Sequence, residues 1–172
     1  VIIAGFGPGD PGLVTRRSEV WLSLADVIVY DDLIESNYLK KYCATKIYVG
    51  KRKGAHYAQQ DEINKTMHDN AVAGKRVVRI KGGDPLVFGR GAEEYHFLAE
   101  RMVKATIIPG VSSAMAAAAA AVVPLTARGV SSSVVFLSGH NLDKLVVPKA
   151  ETLVFFMGAD NQRTLSEKLI GE

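Results

Sequence analysis

The sequence predicts an α/β protein built on mostly parallel sheets, and three observations carry that expectation. Short apolar, β-branched runs alternate with segments of helical period. The runs end in glycine, a charge or a hydroxyl rather than in hairpin turns. After Pro109 the texture changes to a run of small residues followed by two more apolar segments, which divides the chain into a first α/β domain, 1–112, and the start of a second, 113–172, that looks incomplete. Strands separated by helices imply βαβ units and hence parallel pairing.

Val1-Ile2-Ile3-Ala4 reads as the first strand, followed by the loop Gly5-Phe6-Gly7-Pro8-Gly9-Asp10-Pro11-Gly12. Thr15 is a fitting N-cap for a helix that reaches Leu24, because its hydroxyl can accept from a free amide of the first turn. Val27-Ile28-Val29-Tyr30 and Ile47-Tyr48-Val49 are the next strands. Residues 59–73 read as a helix, since Ile63, Met67 and Ala71 fall on one face and Gly74 can stop it. A strand over 76–80 and a helix over 92–102 follow, with Tyr95, Leu98 and Met102 on one side, and then Thr106-Ile107-Ile108. The join between Met102 and Thr106 holds no glycine or other turn former, so the sequence suggests missing residues there. Residues 112–123 form a small-residue helix, 133–137 and 152–156 two further strands, and 162–170 a closing helix. The last two strands have few partners, so the sequence suggests that the natural chain continues.

In a parallel sheet, ligands bind outside the carboxyl ends of the strands. Those ends carry Gly7-Pro8-Gly9, Asp31, Lys51, Gly82-Gly83-Asp84 and Ser112-Ser113, and this clustering is the first functional signal.

The 172 residues are 48% hydrophobic and 23% charged, the balance of a soluble globular protein. No run approaches the roughly 18 apolar residues of a membrane helix, and no basic-then-apolar leader opens the chain. One cysteine, Cys43, excludes an internal disulfide framework and a cysteine metal cluster, and points to the cytoplasm. The net charge of +3 lacks the dense basic stripe of a nucleic-acid binder and suits an acidic small molecule as well as plain solubility. His56, His68, His96 and His140 are scattered without helical zinc spacing, so no metal is expected. No Gly-x-Ser-x-Gly elbow is present to support a serine hydrolase.

The loop Gly5-x-Gly7-x-Gly9 does not fit the dinucleotide-binding spacing, and Pro8 removes an amide donor, so a loop that avoids anions fits better; a structural turn remains open. Lys81-Gly82-Gly83-Asp84-Pro85 leaves room for a flat ligand, with Asp84 able to accept from an amino or ribose group; a plain turn is the alternative. Asp31, after an apolar strand, is a candidate base, or else a cap or solvated acid. Lys51-Arg52-Lys53 can hold carboxylates, or be a solvated basic loop.

Taken in order, several segments resemble the tetrapyrrole methylase family. They are Gly5-Phe6-Gly7-Pro8-Gly9-Asp10-Pro11, Ala25-Asp26-Val27-Ile28-Val29-Tyr30-Asp31, Val49-Gly50-Lys51-Arg52 and Glu62-Ile63-Asn64. The most specific block is Arg79-Ile80-Lys81-Gly82-Gly83-Asp84-Pro85-Leu86-Val87-Phe88-Gly89-Arg90-Gly91. Pro109-Gly110-Val111-Ser112-Ser113, Pro124-Leu125-Thr126, Gly139-His140 and Thr152-Leu153-Val154-Phe155-Phe156-Met157-Gly158 complete the likeness. Within the family, the Tyr-Asp pair, the Gly-Lys-Arg and the Gly-Asp-Pro block resemble the branch that C-methylates uroporphyrinogen III. Tyr30-Asp31-Asp32-Leu33 differs from the acid-rich segment of the ribosomal RNA methyltransferases of the same superfamily.

The resemblance implies two α/β domains with S-adenosylmethionine in the cleft between them, and a homodimer; the charge and the lack of a long apolar run leave no nucleic-acid or membrane partner expected. It implies cofactor contact by Pro8, Gly82, Gly83, Asp84, Val87, Ser112, Ser113 and Met157, with Asp31 as proton acceptor and Lys51 as proton donor or substrate clamp. The reaction implied is double methylation of uroporphyrinogen III at C-2 and C-7, giving precorrin-2 for sirohaem or cobalamin, with S-adenosylhomocysteine as co-product. Lys51, Arg52, Lys53, Arg90 and Arg128 are candidate carboxylate clamps. Where the family has histidine after Leu-Thr, this chain has Ala127 before Arg128. Methylation of a later precorrin, or a non-catalytic nucleotide-binding module, are the alternatives.

Overall fold

The computed structural model of the chain describes residues 1–50 and 56–171. The chain divides into two compact units, Val1–Ser113 and Ala114–Glu172.

In the first unit the apolar runs become strands β1 (Ile2–Gly5), β2 (Val27–Tyr30), β3 (Thr45–Tyr48), β4 (Val77–Lys81) and β5 (Thr106–Ile108). All pair in parallel, in the order β3-β2-β4-β1-β5. Helices α1 (Arg16–Leu24), α2 (His56–Val72) and α3 (Gly91–Glu100) connect them. Alternation along each strand sends side chains to opposite faces. Ile2, Ala4, Ile28, Val78 and Ile80 pack with Leu22 of α1 and with Leu39 and Tyr42 on one face. Ile3, Val27, Val29 and Val77 pack with Ile63 and Met67 of α2 and Leu98 of α3 on the other. A sheet covered on both faces explains why its strands read as continuous apolar runs.

Thr15 caps α1 as expected, its Oγ1 accepting from the Ser18 amide at 3.2 Å. The third strand starts two residues earlier than its apolar core suggested and ends one earlier, because it is an edge strand and tolerates Thr45 and Lys46. A 3-10 segment over Ser36–Lys41 has no counterpart in the sequence reading. Met102 takes the left-handed conformation at φ 61, and Leu98 O accepts from both Arg101 N and Val103 N. This is the helix stop that glycine usually makes, made instead by an exposed methionine.

The second unit holds most of α4 (Ser113–Ala121), then β6 (Val134–Ser138), β7 (Thr152–Phe156) and α5 (Gln162–Ile170). β6 and β7 pair in parallel as a two-stranded sheet. Glu151 clasps its start, its Oε2 accepting from the Ser133 amide at 3.1 Å and the Ser132 hydroxyl at 2.8 Å. No described helix is long and apolar enough to cross a membrane.

Candidate active site at the carboxyl edge of the first sheet

Three loops leave neighbouring strands at the same edge and are tied to one another. After β1, Phe6 N donates to Lys81 O at 2.8 Å, and Gly7 exchanges backbone bonds with Gly83, 2.7 Å in one direction and 3.3 Å in the other. The loop after β5 closes against both. A methyl group added at Gly110 would stand 2.2 Å from Gly83 O and 2.7 Å from Gly5 Cα, so only glycine permits this approach. Asp84 fastens the same contact, Oδ2 accepting from Gly110 N at 3.0 Å and Oδ1 from Leu86 N at 2.8 Å. The turn reading of Asp84 therefore holds, and each carboxylate oxygen keeps acceptor capacity beyond it.

The strand order thus gathers Pro8, Gly82, Gly83, Asp84 and Val87 with Ser112 and Ser113 at the start of α4, which lie alongside Gly83. Pro8, Gly82 and Val87 are half-buried, Ser112 is buried and Ser113 exposed. The loop from Gly5 to Asp10 carries no cation, and Pro8 offers no amide proton. Such a cradle, lined by backbone and small side chains, suits a ligand without phosphates. Met157 follows β7 in the second unit, exposed and left-handed at φ 56. Lys51, Arg52 and Lys53 lie outside the described residues.

Asp31 stands one residue beyond β2. The β2–β4 register pairs Val29 with Arg79, and period-two alternation sets Asp31 on the same face as Arg79 and Lys81. Its Oδ2 accepts from Arg79 Nη2 at 2.8 Å and its Oδ1 from Leu33 N at 3.2 Å. The Asp31 side chain is 24% exposed, whereas Arg79 is 2% exposed and Glu94, from α3, fully buried. Glu94 Oε1 accepts from Lys81 Nζ at 2.7 Å and Arg79 Nε at 3.3 Å. Burial pushes the Lys81 ammonium below the ordinary lysine value, and the Arg79 charge adds to this. Glu94 and Asp31 act in the opposite sense.

Sequence reasoning assigned no role to Glu94 and quoted Arg79 and Lys81 only as part of a motif. The available signal was two cations at alternate positions, on one face of an otherwise apolar central strand. Among the described residues, no group of three or more histidine, cysteine or acidic side chains could hold a metal.

A parallel α/β sheet whose glycine loops interlock at the carboxyl ends of its strands, the first loop without a cation, beside a carboxylate set by buried charges, defines an enzyme-like small-molecule site. The sequence profile of the tetrapyrrole (corrin/porphyrin) methylases matches residues 1–172, and the chain belongs to that family. It is 45% identical over 183 aligned residues to a uroporphyrinogen-III C-methyltransferase of Methanocaldococcus jannaschii, covering 99% of this chain and 74% of that one. It is 44% identical to a siroheme synthase of Pseudoalteromonas atlantica, spanning 39% of that protein's length. Among solved structures, it is similar to a uroporphyrin-III C-methyltransferase from Thermus thermophilus complexed with S-adenosylhomocysteine. That match has a TM-score of 0.80 and 34% identity, and covers 98% of this chain and 70% of the other. A cobalt-precorrin-4 methyltransferase gives a TM-score of 0.81 at 30% identity, covering 99% and 73%.

Proposed function

We propose that this chain carries the S-adenosylmethionine site of a C-methyltransferase that methylates uroporphyrinogen III twice, at C-2 and C-7, to give precorrin-2 and S-adenosylhomocysteine. The observation that carries the reading is the interlocked cradle of Gly5, Gly7, Gly83, Asp84 and Gly110 beside Asp31. The donor set fits the cofactor: backbone amides and carbonyls at close approach, an aspartate for polar hydrogens, and no cation in the first loop to oppose a sulfonium. Pro8, Gly82, Gly83, Asp84, Val87, Ser112 and Ser113 would hold it; Met157 is included on its motif alone.

The cofactor supplies an activated methyl group, so the protein's work is orientation and proton handling. Holding two reactants in attack geometry lowers a barrier by up to roughly 7–11 kcal/mol. Each methyl added to carbon leaves one proton to be removed, and Asp31 accepts it; such a positioned base contributes about 10²–10⁴-fold. Lys51, Arg52, Lys53, Arg90 and Arg128 are offered as partners for the substrate's carboxylates, on sequence grounds. Assembly as a homodimer is supported by the exposed apolar residues Met115, Val122 and Val123. A cytoplasmic enzyme that does not bind nucleic acid is supported by the single cysteine and the mild charge.

The test is anaerobic transfer of labelled methyl from S-adenosylmethionine to uroporphyrinogen III by the full-length protein. Two methyl groups per tetrapyrrole are expected. A second reading, methylation of a later corrin precursor, is favoured by the likeness to the cobalt-precorrin-4 methyltransferase. Transfer to such a precursor and none to uroporphyrinogen III would establish that second reading and overturn the first.

A further inference from the structure

We propose that Glu94 is the positioning residue of this site: it holds Arg79 and Lys81 together and, through Arg79, sets the orientation and charge environment of the Asp31 carboxylate. The inference rests on Asp31 being the proton acceptor of the proposed methyl transfer.

Glu94 is fully buried, and it spends one oxygen on three donors. Its Oε1 accepts from Lys81 Nζ at 2.7 Å, Arg79 Nε at 3.3 Å and Gln60 Nε2 at 3.5 Å. Its Oε2 is buried and has no hydrogen-bond partner among the described residues. A buried acceptor left unmade costs stability. Buried ion networks are in general no more stabilising than apolar packing of the same volume. The neighbouring positions on this face of the sheet, Val27, Val29 and Val77, are packed in the apolar way. Stability is therefore a poor reason for three charged side chains here.

What the charged arrangement supplies, and packing cannot, is a rigid hold on Asp31. Arg79 directs each nitrogen to a different partner: Nε to Glu94, Nη1 to Ile80 O at 2.8 Å, and Nη2 to Asp31 Oδ2 at 2.8 Å. The guanidinium is planar, so fixing two nitrogens fixes the third. Asp31 is the only member of the four that reaches the rim, and Arg79, Lys81 and Glu94 lie behind it, out of solvent. Asp32 and the rings of Tyr30 and Tyr48 adjoin Asp31 from β2 and β3, and the Tyr48 hydroxyl donates to Asp32 rather than to Asp31.

The charges balance, with two cations against two carboxylates. Without the Glu94 charge, Asp31 would face Arg79 and Lys81 as their sole counter-ion. Both cations would then bear on that one carboxylate, and the balance that holds it in place would be lost. The role predicts a loss in turnover rather than in cofactor affinity.

The experiment is Glu94→Gln in the full-length protein, with kcat, KM and the kcat–pH profile for methyl transfer to uroporphyrinogen III, and S-adenosylhomocysteine affinity by calorimetry. The expected result is a kcat lower by about tenfold or more and an altered kcat–pH profile, with affinity within about twofold of native. Adding Lys81→Met restores the charge balance and is expected to recover most of the lost kcat. Arg79→Lys, which keeps the charge but loses the fork, covers the case in which Glu94→Gln does not fold. Its kcat is expected to fall by a similar factor of about ten with cofactor affinity kept. Native kcat and pH profile in folded Glu94→Gln, or native kcat in Arg79→Lys, overturn the inference. Asp31→Asn measured alongside separates the two layers. If it keeps the native rate, the proton-acceptor reading itself fails; if it is inactive while the other variants are native, only the role of Glu94 fails.

Discussion

The two sheets of this chain are built from similar apolar strands and reach different states. In the first unit, β1, β2 and β4 are buried almost throughout, with Ile3, Ile28, Val29, Val78 and Ile80 fully inaccessible. In the second, all five residues of β6 and all five of β7 remain half-exposed, although Val134-Val135-Phe136-Leu137 and Leu153-Val154-Phe155-Phe156 are as apolar as any strand of the first sheet. The difference lies in the number of strands and in what packs on them. Helices cover both faces of the five-stranded sheet, whereas the pair β6–β7 forms a sheet of two strands, and such pairs are marginal by themselves. Strand composition sets the propensity, and covering elements set the burial.

The sharpest way to break that comparison is to separate the units. A fragment of residues 1–113 is expected to melt cooperatively by circular dichroism, and a fragment of 114–172 is expected to show no cooperative transition. A cooperative melt of the second fragment would contradict the account. Side-chain truncation gives the next largest contrast. Leu22→Ala and Met67→Ala, each at a fully buried position, are expected to lose about 2–5 kcal/mol in denaturant titration. Val154→Ala, at a half-exposed position of β7, is expected to lose less than about 1 kcal/mol. Equal losses would mean that the second sheet is as well covered as the first.

Smaller effects come from the ends of elements. Val122 stops α4 at φ 55, a conformation that a β-branched residue adopts with strain, and it is exposed. Val122→Gly is expected to gain about 1 kcal/mol. Asp26 lies at the amino end of the first sheet, clamped by Arg76 through Nε at 3.0 Å, Nη2 at 2.8 Å and the Arg76 amide at 2.7 Å. These bonds lower its carboxyl from 3.8 to about 2. The folded state therefore binds its proton less readily than the unfolded state does. Its contribution is complete above the ordinary value of 3.8 and fades as pH falls toward about 2. Asp26→Asn is expected to flatten this part of the stability–pH curve by a small amount, since the pair is exposed.

The strands of the first sheet were legible because burial on both faces leaves an unbroken apolar run. The 3-10 turn at Ser36–Lys41 has no period to betray it, and the start of β3 at Thr45-Lys46 is polar because an edge strand permits it. The gathering of Gly83, Asp84, Ser112 and Asp31 at one edge followed from the strand-end rule. Glu94 was missed. Glu93 and Glu94 are neighbours on one helix; the Glu93 side chain is 57% exposed and pairs with Arg90, while that of Glu94 is 0% exposed beneath the sheet end. Helical period does set Glu94, four residues before Leu98, on the buried face of α3, but the pattern alone does not reveal its partners on β4.

The central claim is that Asp31 removes the proton that each methyl transfer releases. Asp31→Asn in the full-length protein tests it most directly, with single-turnover methyl transfer to uroporphyrinogen III measured beside S-adenosylhomocysteine affinity. A fall in rate of about 10²–10⁴-fold with cofactor affinity kept is the expected result, and a native rate in the folded variant would contradict it.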